Sequence, residues 1–323
     1  MASTDKPDLE PQKIFATISH VGLGGRAPVL DAEFHGGQCR VFKVSFGDGQ
    51  EDEDLAVRVP VVDNNQPDII PMVQMEVEML QLLEAKGFGW APRCRGYSLS
   101  FDNPIKRPFI VLGWVKGSRL SWSEEYPRQP HRDNLLAQIA AIQMSLIECT
   151  LEIRTITARD FFERLVRNRR ARVREGRILD ISDQDCVDQQ NLLDRFLDGE
   201  GGNTAFAMEH GDLKPDNLIV DDKHNIQSVI DWGFAAFVPI VRAAGIPRFL
   251  WPSLPSCRPS MVVRKDRESY INSFASQSSP AALYMRRWQN VADLDFHTLY
   301  LESLFSKGAH ASLAAIGWKV PSH

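Results

Sequence analysis

The sequence has 323 residues, of which 43% are hydrophobic and 24% are charged, and its formal net charge is −5. These proportions are those of a folded globular protein, and the length suits two lobes better than one core. The acidic balance argues against a general nucleic-acid-binding protein, and no apolar run approaches the ~20 residues of a membrane-spanning helix.

The amino terminus and the cysteines indicate the compartment. Residues 1–13 are polar and charged, which predicts a flexible tail without the apolar core of a signal peptide. The five cysteines are scattered and form no C-x-x-C pair, as expected for reduced thiols. We therefore expect a cytoplasmic protein without membrane or nucleic-acid partners, and its oligomeric state stays open.

The region that follows the tail is predicted to be rich in strands. From Ile14 the chain has a strand-like pattern with glycine-rich turns. Two glycine clusters, at 22–25 and 35–38, are candidates for a functional turn. We favour the second because it leads directly into an alternating strand at 39–46.

A second strand, a helix and a buried strand follow in this region. The strand at 55–60 carries Arg58 between apolar neighbours. The segment 75–83 has helical spacing, with apolar residues four and seven positions after Glu76. The buried strand at 108–112 ends in glycines, as expected of a flexible connection.

Beyond residue 120 the pattern becomes helical. A buried stripe predicts a long helix at 133–149. Nine arginines against three acids at 154–177 indicate a solvated helix face with ion pairs, or else a surface for an anionic partner. A loop at 247–260 is a candidate for an acceptor pocket, and residues 279–306 are predicted to close the lobe with helices.

The stretch 209–234 has the most informative pattern in the chain. Two β-branched runs on either side of a five-residue polar turn predict an antiparallel hairpin. Such a hairpin brings Asn217 and Asp231 beside each other, and Asp212 lies on the loop that leads into it. Two carboxylates and an amide oxygen are suitable to hold Mg²⁺ against phosphates and to orient a hydroxyl group. The alternative is a surface hairpin whose Asp and Asn residues cap turns.

These residues carry a family resemblance. His-Gly-Asp-Leu-Lys-Pro-Asp-Asn at 210–217 and Asp-Trp-Gly at 231–233 resemble the catalytic and metal-binding loops of the protein-kinase-like fold. The glycine and the tryptophan make them more similar to the aminoglycoside phosphotransferase and choline kinase-like family than to protein kinases. The resemblance implies an α+β, two-lobed fold with a nucleotide-binding, β-rich lobe at 14–112, a hinge at 113–117 and a larger, mainly helical, catalytic and acceptor-binding lobe at 118–323.

The resemblance also implies a reaction and its residues. The expected activity is ATP- and Mg²⁺-dependent transfer of the γ-phosphate to a hydroxyl group of a small molecule. Asp212 is then the catalytic base, and Asn217 and Asp231 hold the metal ions. Lys214 touches the transferred phosphate or, alternatively, is only a loop lysine that faces solvent.

The nucleotide contacts follow from the same resemblance. Gly36 and Gly37 would cover the phosphates, and Arg58, braced by Glu76, would grip them. Glu76 has a better register for this contact than Glu78. Arg58 departs from the lysine of the wider fold, and the two side chains are not interchangeable. The alternative is a strand arginine and a helix glutamate that both face solvent.

The hinge residues Gly113, Trp114 and Val115 would meet the adenine edge with backbone groups, although a plain turn after a core strand is also compatible with this segment.

Two other functions stay open. A protein kinase is favoured by the Lys214-Pro215 pair, but no Ala-Pro-Glu follows the metal triplet. A nucleotide-binding pseudokinase or scaffold is supported by Arg58 and the imperfect glycine loop. The acceptor could be an aminoglycoside, choline or a related metabolite.

Overall fold

The computed structural model describes residues 9–25, 27–47, 54–61, 66–197, 204–251, 259–287 and 293–319. The chain forms two compact units: Met1–Leu120, His210–Asp212 and Asp216–Ala235 in the first, and Ser121–Glu209, Leu213–Pro215 and Ala236–His323 in the second. In this division the hairpin at 218–230 belongs to the first unit, whereas the predicted boundary at 118 assigned it to the C-terminal lobe.

The described strands are β1 (Pro28–His35), β2 (Cys39–Phe46), β3 (Leu55–Pro60), β4 (Cys94–Ser98), β5 (Phe109–Gly113), β6 (Ser118–Arg119), β7 (Glu152–Arg154), β8 (Thr204–Glu209), β9 (Leu218–Val220), β10 (Ile226–Val229) and β11 (Ala236–Pro239). The described α-helices are α1 (Pro11–His20), α2 (Gln66–Ala85), α3 (His131–Thr150), α4 (Ala158–Arg174), α5 (Asp183–Asn191), α6 (Leu193–Leu197), α7 (Ile240–Ala243), α8 (Met261–Asn272), α9 (Pro280–Met285), α10 (Leu294–Ser303) and α11 (Lys307–Ala315). Within the described ranges, no helix has both the length and the hydropathy needed to cross a membrane.

The first unit is built on a five-stranded antiparallel sheet in the order β1-β2-β3-β5-β4. Successive side chains of a strand point to opposite faces of the sheet. On one face, the even-numbered residues of β2, such as Phe42 and Val44, are buried against Ile14 and Ile18 of α1. On the other face, Ile110 of β5 packs against Val77 of α2. This second face also carries Arg58, because Arg58 is the cross-strand partner of Ile110.

The first helix corrects the sequence prediction. Residues from Ile14 were expected to be strand-like, but α1 spans Pro11–His20. The helix begins with a proline, which suits a first helical position, and it buries Ile14, Thr17 and Ile18 at helical spacing. The helix therefore includes residues 11–13 of the predicted tail, and residues 1–8 lie outside the described ranges.

The second unit is mainly helical. Its long helix α3 agrees with the prediction at 133–149 and buries Leu135, Ile139 and Ile142 along one side. The strands β7, β8 and β11 form a small antiparallel sheet in the order β11-β8-β7. Part of the predicted loop at 247–260 forms a short 3-10 helix, and residues 252–258 lie outside the described ranges.

The arginine-rich stretch forms a capped helix with ion pairs. The hydroxyl of Thr157 accepts a hydrogen bond from the Asp160 N–H, which is part of a capping box at the start of α4. Further along, Arg170 and Arg174 both bind the carboxylate of Asp183 at 2.6 and 2.8 Å. Hydrogen bonds from these two arginines lower the pKa of Asp183 below its ordinary range. The contacts agree with the interpretation of a solvated helix face.

A buried histidine of α11 predicts acid sensitivity. His310 is fully buried, and Arg169 Nη1 lies 3.0 Å from its Nδ1 atom. Burial and the nearby Arg169 lower the pKa of His310 to about 4. In the unfolded chain the pKa is about 6.5. Between these values only the unfolded chain gains the proton, so the free energy of unfolding falls as the pH drops, by at most about 1.4 kcal/mol per pH unit.

Urea unfolding at several pH values between 7 and 4.5 measures this effect. The substitution His310→Gln is expected to reduce the slope of stability against pH. It should not abolish the slope, because burial also lowers the pKa of His297 to about 4. An unchanged slope in the variant would show that the pKa of His310 is the same in the folded and the unfolded chain.

Candidate active site

The predicted hairpin at 218–230 is confirmed. The strands β9 and β10 pair antiparallel, and the carboxylate of Asp221 closes the turn by accepting backbone hydrogen bonds from Lys223 and Asn225 at 2.9 and 2.8 Å. At the open end, the Ile230 N–H donates to the Asn217 carbonyl at 2.8 Å. The hairpin therefore brings Asn217 beside the residue that precedes Asp231.

Asp212 and Asn217 are in direct contact. The Asn217 side-chain amide donates to the Asp212 carbonyl at 2.8 Å and to its carboxylate oxygen Oδ2 at 3.2 Å. Asn217 is buried at the end of a 3-10 helix that spans Pro215–Asn217. Because the amide nitrogen makes these two bonds, the amide group orients the Asp212 carboxylate and keeps its own oxygen for another ligand.

His210 organises the start of this loop, a role that the sequence prediction missed. Its Nε2 atom lies 3.0 Å from the Ile230 carbonyl, and the Asp212 N–H donates to its Nδ1 atom at 3.3 Å. Because Nδ1 accepts a hydrogen bond, the proton of the neutral ring lies on Nε2. The ring also packs edge-on against Trp232 at 4.6 Å. His210 therefore connects the 210–217 loop to Ile230, which precedes the 231–233 triplet, and to Trp232 within the triplet. Its position two residues before Asp212 was the available signal.

Arg58 joins two carboxylates from distant parts of the chain. One terminal nitrogen lies 3.3 Å from Glu76 of α2, and the other donates to Asp231 at 2.8 Å. The predicted register of Glu76 toward Arg58 is thereby confirmed. Asp231 has a φ of 68°, a left-handed conformation that costs about 1 kcal/mol or more in a residue other than glycine.

Burial and charge determine the electrostatics of this cluster. Burial raises the pKa of Glu76, and Asp231 adds to this effect while Arg58 opposes it. Burial alone would lower the pKa of Arg58, but the neighbouring acidic groups raise it above its ordinary value. Cys39, a neighbour that the sequence prediction overlooked, is also buried, and burial raises the pKa of its thiol. Arg58 is therefore the permanent positive charge of the cluster.

Gly36 and Gly37 lie in the turn between β1 and β2. The Gly36 N–H donates to the Cys39 carbonyl at 2.9 Å and closes the turn. The strand β2 that follows pairs with β3, where Val41 lies opposite Arg58. The second glycine cluster thus leads into the strand pair that carries the cation, and its contact with phosphates stays a prediction.

Two backbone N–H groups of the linker have carbonyl partners within the first unit. The Gly113 N–H donates to the Arg93 carbonyl at 2.9 Å, and the Trp114 N–H donates to the Asp54 carbonyl at 2.8 Å. These two donors are therefore paired with carbonyl groups just before β4 and β3 and are not offered to a nucleotide. The predicted adenine contacts then rest on the carbonyl groups of these residues and on Val115.

A polar cavity of about 530 Å³ lies beside the linker. The Trp114 ring on its wall stacks on Phe34 at 5.7 Å, and the Lys43 ammonium lies 5.4 Å from the ring centre. Lys43 also binds two lining carboxylates, Asp31 at 3.0 Å and Asp54 at 3.3 Å. The cavity is thus at the linker end of the sheet, and the Arg58 cluster is not among its walls.

Lys214 lies between Asp212 and the 3-10 helix and is half-buried. Its contact with a transferred phosphate stays a prediction.

The oxygen donors of the site suit a hard cation. Asp231 is 34% exposed and offers carboxylate oxygens, and Asn217 offers an amide oxygen. In the part of the chain that the structure describes, no three His, Cys, Asp or Glu residues form a group that could hold a metal ion. Mg²⁺ commonly uses one or two protein oxygens and takes its other ligands from phosphates and water, and the residues present fit that pattern.

Solved structures resemble this chain over nearly its whole length. The ADP-bound aminoglycoside phosphotransferase APH(2'')-Ib is 14% identical, with a TM-score of 0.57, and the alignment covers 92% of this chain and 91% of that one. The streptomycin–ATP complex of APH(2'')-IIa gives 14% identity, a TM-score of 0.55 and 96% coverage of both chains. Choline kinase from Cryptosporidium parvum gives 13% identity, a TM-score of 0.55 and coverage of 95% and 93%. These similarities confirm the two-lobed protein-kinase-like fold.

A search of curated proteins gives no significant match. The sequence model of the phosphotransferase enzyme family, in contrast, matches residues 40–242. The match covers more than half of the chain and includes the Arg58 strand, the 210–217 loop and the 231–233 triplet. It agrees with the resemblance of residues 210–233 and with the fold. The chain therefore belongs to the phosphotransferase enzyme family.

Proposed function

We propose that this protein transfers the γ-phosphoryl group of ATP, as its magnesium complex, to a hydroxyl group of a small molecule. The observation that carries the proposal is the grouping of Arg58, Glu76 and Asp231 by ion pairs at 3.3 and 2.8 Å. A cation for phosphates and a carboxylate for a metal lie together, and the Asp212–Asn217 pair belongs to the same hairpin region. Phosphoryl transfer depends mainly on such alignment and charge neutralisation.

Asp212 is the proposed catalytic base. Its carboxylate accepts a hydrogen bond from Asn217, and its backbone N–H donates to His210, so both parts of the residue are held. A carboxylate held in this way can orient the acceptor hydroxyl and remove its proton as the phosphoryl group transfers. Lys214, two residues further on, is proposed to contact the transferred phosphate.

Asn217 and Asp231 are the proposed metal ligands, and Arg58 is the proposed phosphate-binding cation. Bound Mg²⁺ would supply charge neutralisation of the phosphate oxygens. Arg58 presents a planar fork of donors that suits phosphate oxygens, and its contact with Glu76 fixes the direction of that fork. Gly36 and Gly37 are proposed to cover the phosphates from the turn before β2.

The acceptor is proposed to be a hydroxylated small molecule. Structures of similar fold contain streptomycin or gentamicin, and another is a choline kinase, so these compounds define the first substrates to test. The proposed location is the cytoplasm, because the described cysteines Cys39, Cys94, Cys149 and Cys186 form no disulfide with one another.

The proposal is tested by measuring ADP release with a library of aminoglycosides, choline and hydroxylated metabolites. Asp231→Asn is expected to weaken Mg-ATP binding by about tenfold or more in calorimetry, because it removes an anionic metal ligand. Asp222→Asn, an exposed change in the turn of the same hairpin, is the matched control and should bind normally.

Three outcomes would contradict the proposal or one of its residue assignments. Normal Mg-ATP binding by Asp231→Asn would remove Asp231 from the metal site. Tight Mg-ATP binding without transfer to any acceptor, including water, would identify a nucleotide-binding scaffold. Phosphorylation of a peptide library in preference to small molecules would identify a protein kinase.

A further inference from the structure

The proposed metal ligand Asp231 is already bound by a cation of the protein. Arg58 donates to its Oδ1 atom at 2.8 Å and at the same time contacts Glu76 at 3.3 Å. The exposed fraction of the side chain is 6% for Glu76 and 34% for Asp231. Glu76 is therefore the enclosed partner of the guanidinium, and Asp231 is the partner that a ligand can reach.

This arrangement sets two cations in competition for one carboxylate. A divalent ion that binds without nucleotide must share Asp231 with Arg58, whose positive charge repels the ion. A nucleotide changes the competition, because its phosphate oxygens give the guanidinium another anionic partner with favourable geometry. Asp231 is then released from Arg58 and can bind the metal ion.

We propose that Arg58 is a positioning residue that holds Asp231 until nucleotide phosphates draw its guanidinium away, so that metal and nucleotide bind cooperatively. The inference rests on the proposed function, because it takes Asp231 as a metal ligand and Arg58 as a phosphate-binding group. This cooperative binding requires an arginine at position 58. Its two terminal nitrogens reach Glu76 and Asp231 at once, whereas a lysine has a single nitrogen.

Two conservative variants are expected to act in opposite directions. In Arg58→Lys, the single ammonium stays with the enclosed Glu76 and releases Asp231, so Mn²⁺ alone should bind about tenfold more tightly, within the range usual for coupled sites. In Glu76→Gln, the guanidinium keeps Asp231 as its only carboxylate, so Mn²⁺ alone should bind more weakly. The factor by which ADP tightens Mn²⁺ binding should fall in the first variant and rise in the second.

The experiment follows the electron paramagnetic resonance signal of free Mn²⁺ during titration of the purified full chain, with and without ADP. Lys43→Arg is the matched control, because Lys43 lies on the neighbouring strand and binds Asp31 and Asp54 instead of Asp231. This exchange should leave Mn²⁺ affinity unchanged. General structural damage would weaken binding in both test variants and could not produce opposite shifts.

Asp231→Asn separates failure of this inference from failure of the proposed function. If Asp231→Asn binds Mn²⁺ as the wild type does, the proposed metal site is wrong and the inference fails with it. If Asp231→Asn loses Mn²⁺ while Arg58→Lys and Glu76→Gln shift in the same direction or not at all, only the inference is overturned.

Discussion

Replacing Asp212 with asparagine is expected to lower the rate of phosphoryl transfer by about 10²–10⁴-fold, the usual contribution of a general acid or base. The asparagine keeps the size of the side chain, and its amide oxygen can still accept the hydrogen bond that Asn217 donates at 3.2 Å. The variant thus loses the capacity to take a proton but keeps the geometry of the loop. Single-turnover kinetics with Mg-ATP and an acceptor found by the ADP-release screen measures the effect.

The matched control is Asp216→Asn, which removes an exposed carboxylate from the same loop. This control should retain the wild-type rate, and both variants should bind Mg-ATP with nearly wild-type affinity. A transfer rate for Asp212→Asn equal to that of Asp216→Asn would show that another group removes the proton.

The hairpin and its side chains could be predicted because their determinants are local. A polar turn between two β-branched runs is sufficient to define the pairing of β9 with β10. This pairing places Asn217 near Asp231 and does not depend on contacts with the rest of the chain. The contact of Asp212 with Asn217 spans only five residues. Short-range geometry of this kind is readable in a single sequence.

Other parts of the site depend on partners that are distant in sequence. The ion pair between Arg58 and Asp231 joins residues 173 positions apart, so the sequence could suggest a role for each residue but not their direct contact. The Trp114 N–H likewise donates to the backbone carbonyl of Asp54, which follows a segment outside the described ranges. A linker sequence alone does not show which of its donors the sheet will use.

The first helix was missed for a related reason. The spacing of Ile14, Thr17 and Ile18 is helical, but the stretch is short, and glycines follow it closely. Short apolar segments are ambiguous between strand and helix. Here the helix is selected by packing, because Ile14 and Ile18 are buried in the same core cluster as Phe42 and Phe109 of the sheet.

Gly211→Ala is expected to disrupt the loop at 210–217. Gly211 has a φ of +79°, and a Cβ atom at this position would lie 2.3 Å from the Phe234 carbonyl oxygen. Both partners of this clash are backbone segments, so neither can rotate away. The loop that carries Asp212 must then separate from the segment that follows Asp231, and we expect both a loss of stability of about 3 kcal/mol or more and a loss of transfer activity.

Gly22→Ala distinguishes the clash from the strain of the backbone conformation alone. Gly22 has nearly the same φ, +81°, but no atom lies within 4 Å of the added methyl group. Its substitution should therefore cost only the left-handed strain, about 1–2 kcal/mol, and should leave Mg-ATP binding unchanged. Urea unfolding gives the two stabilities, and calorimetry gives the two affinities. If Gly211→Ala loses no more stability than Gly22→Ala and binds Mg-ATP normally, the backbone strain that both variants share explains the whole loss of stability. The close approach of the two loops would then not be required for the site.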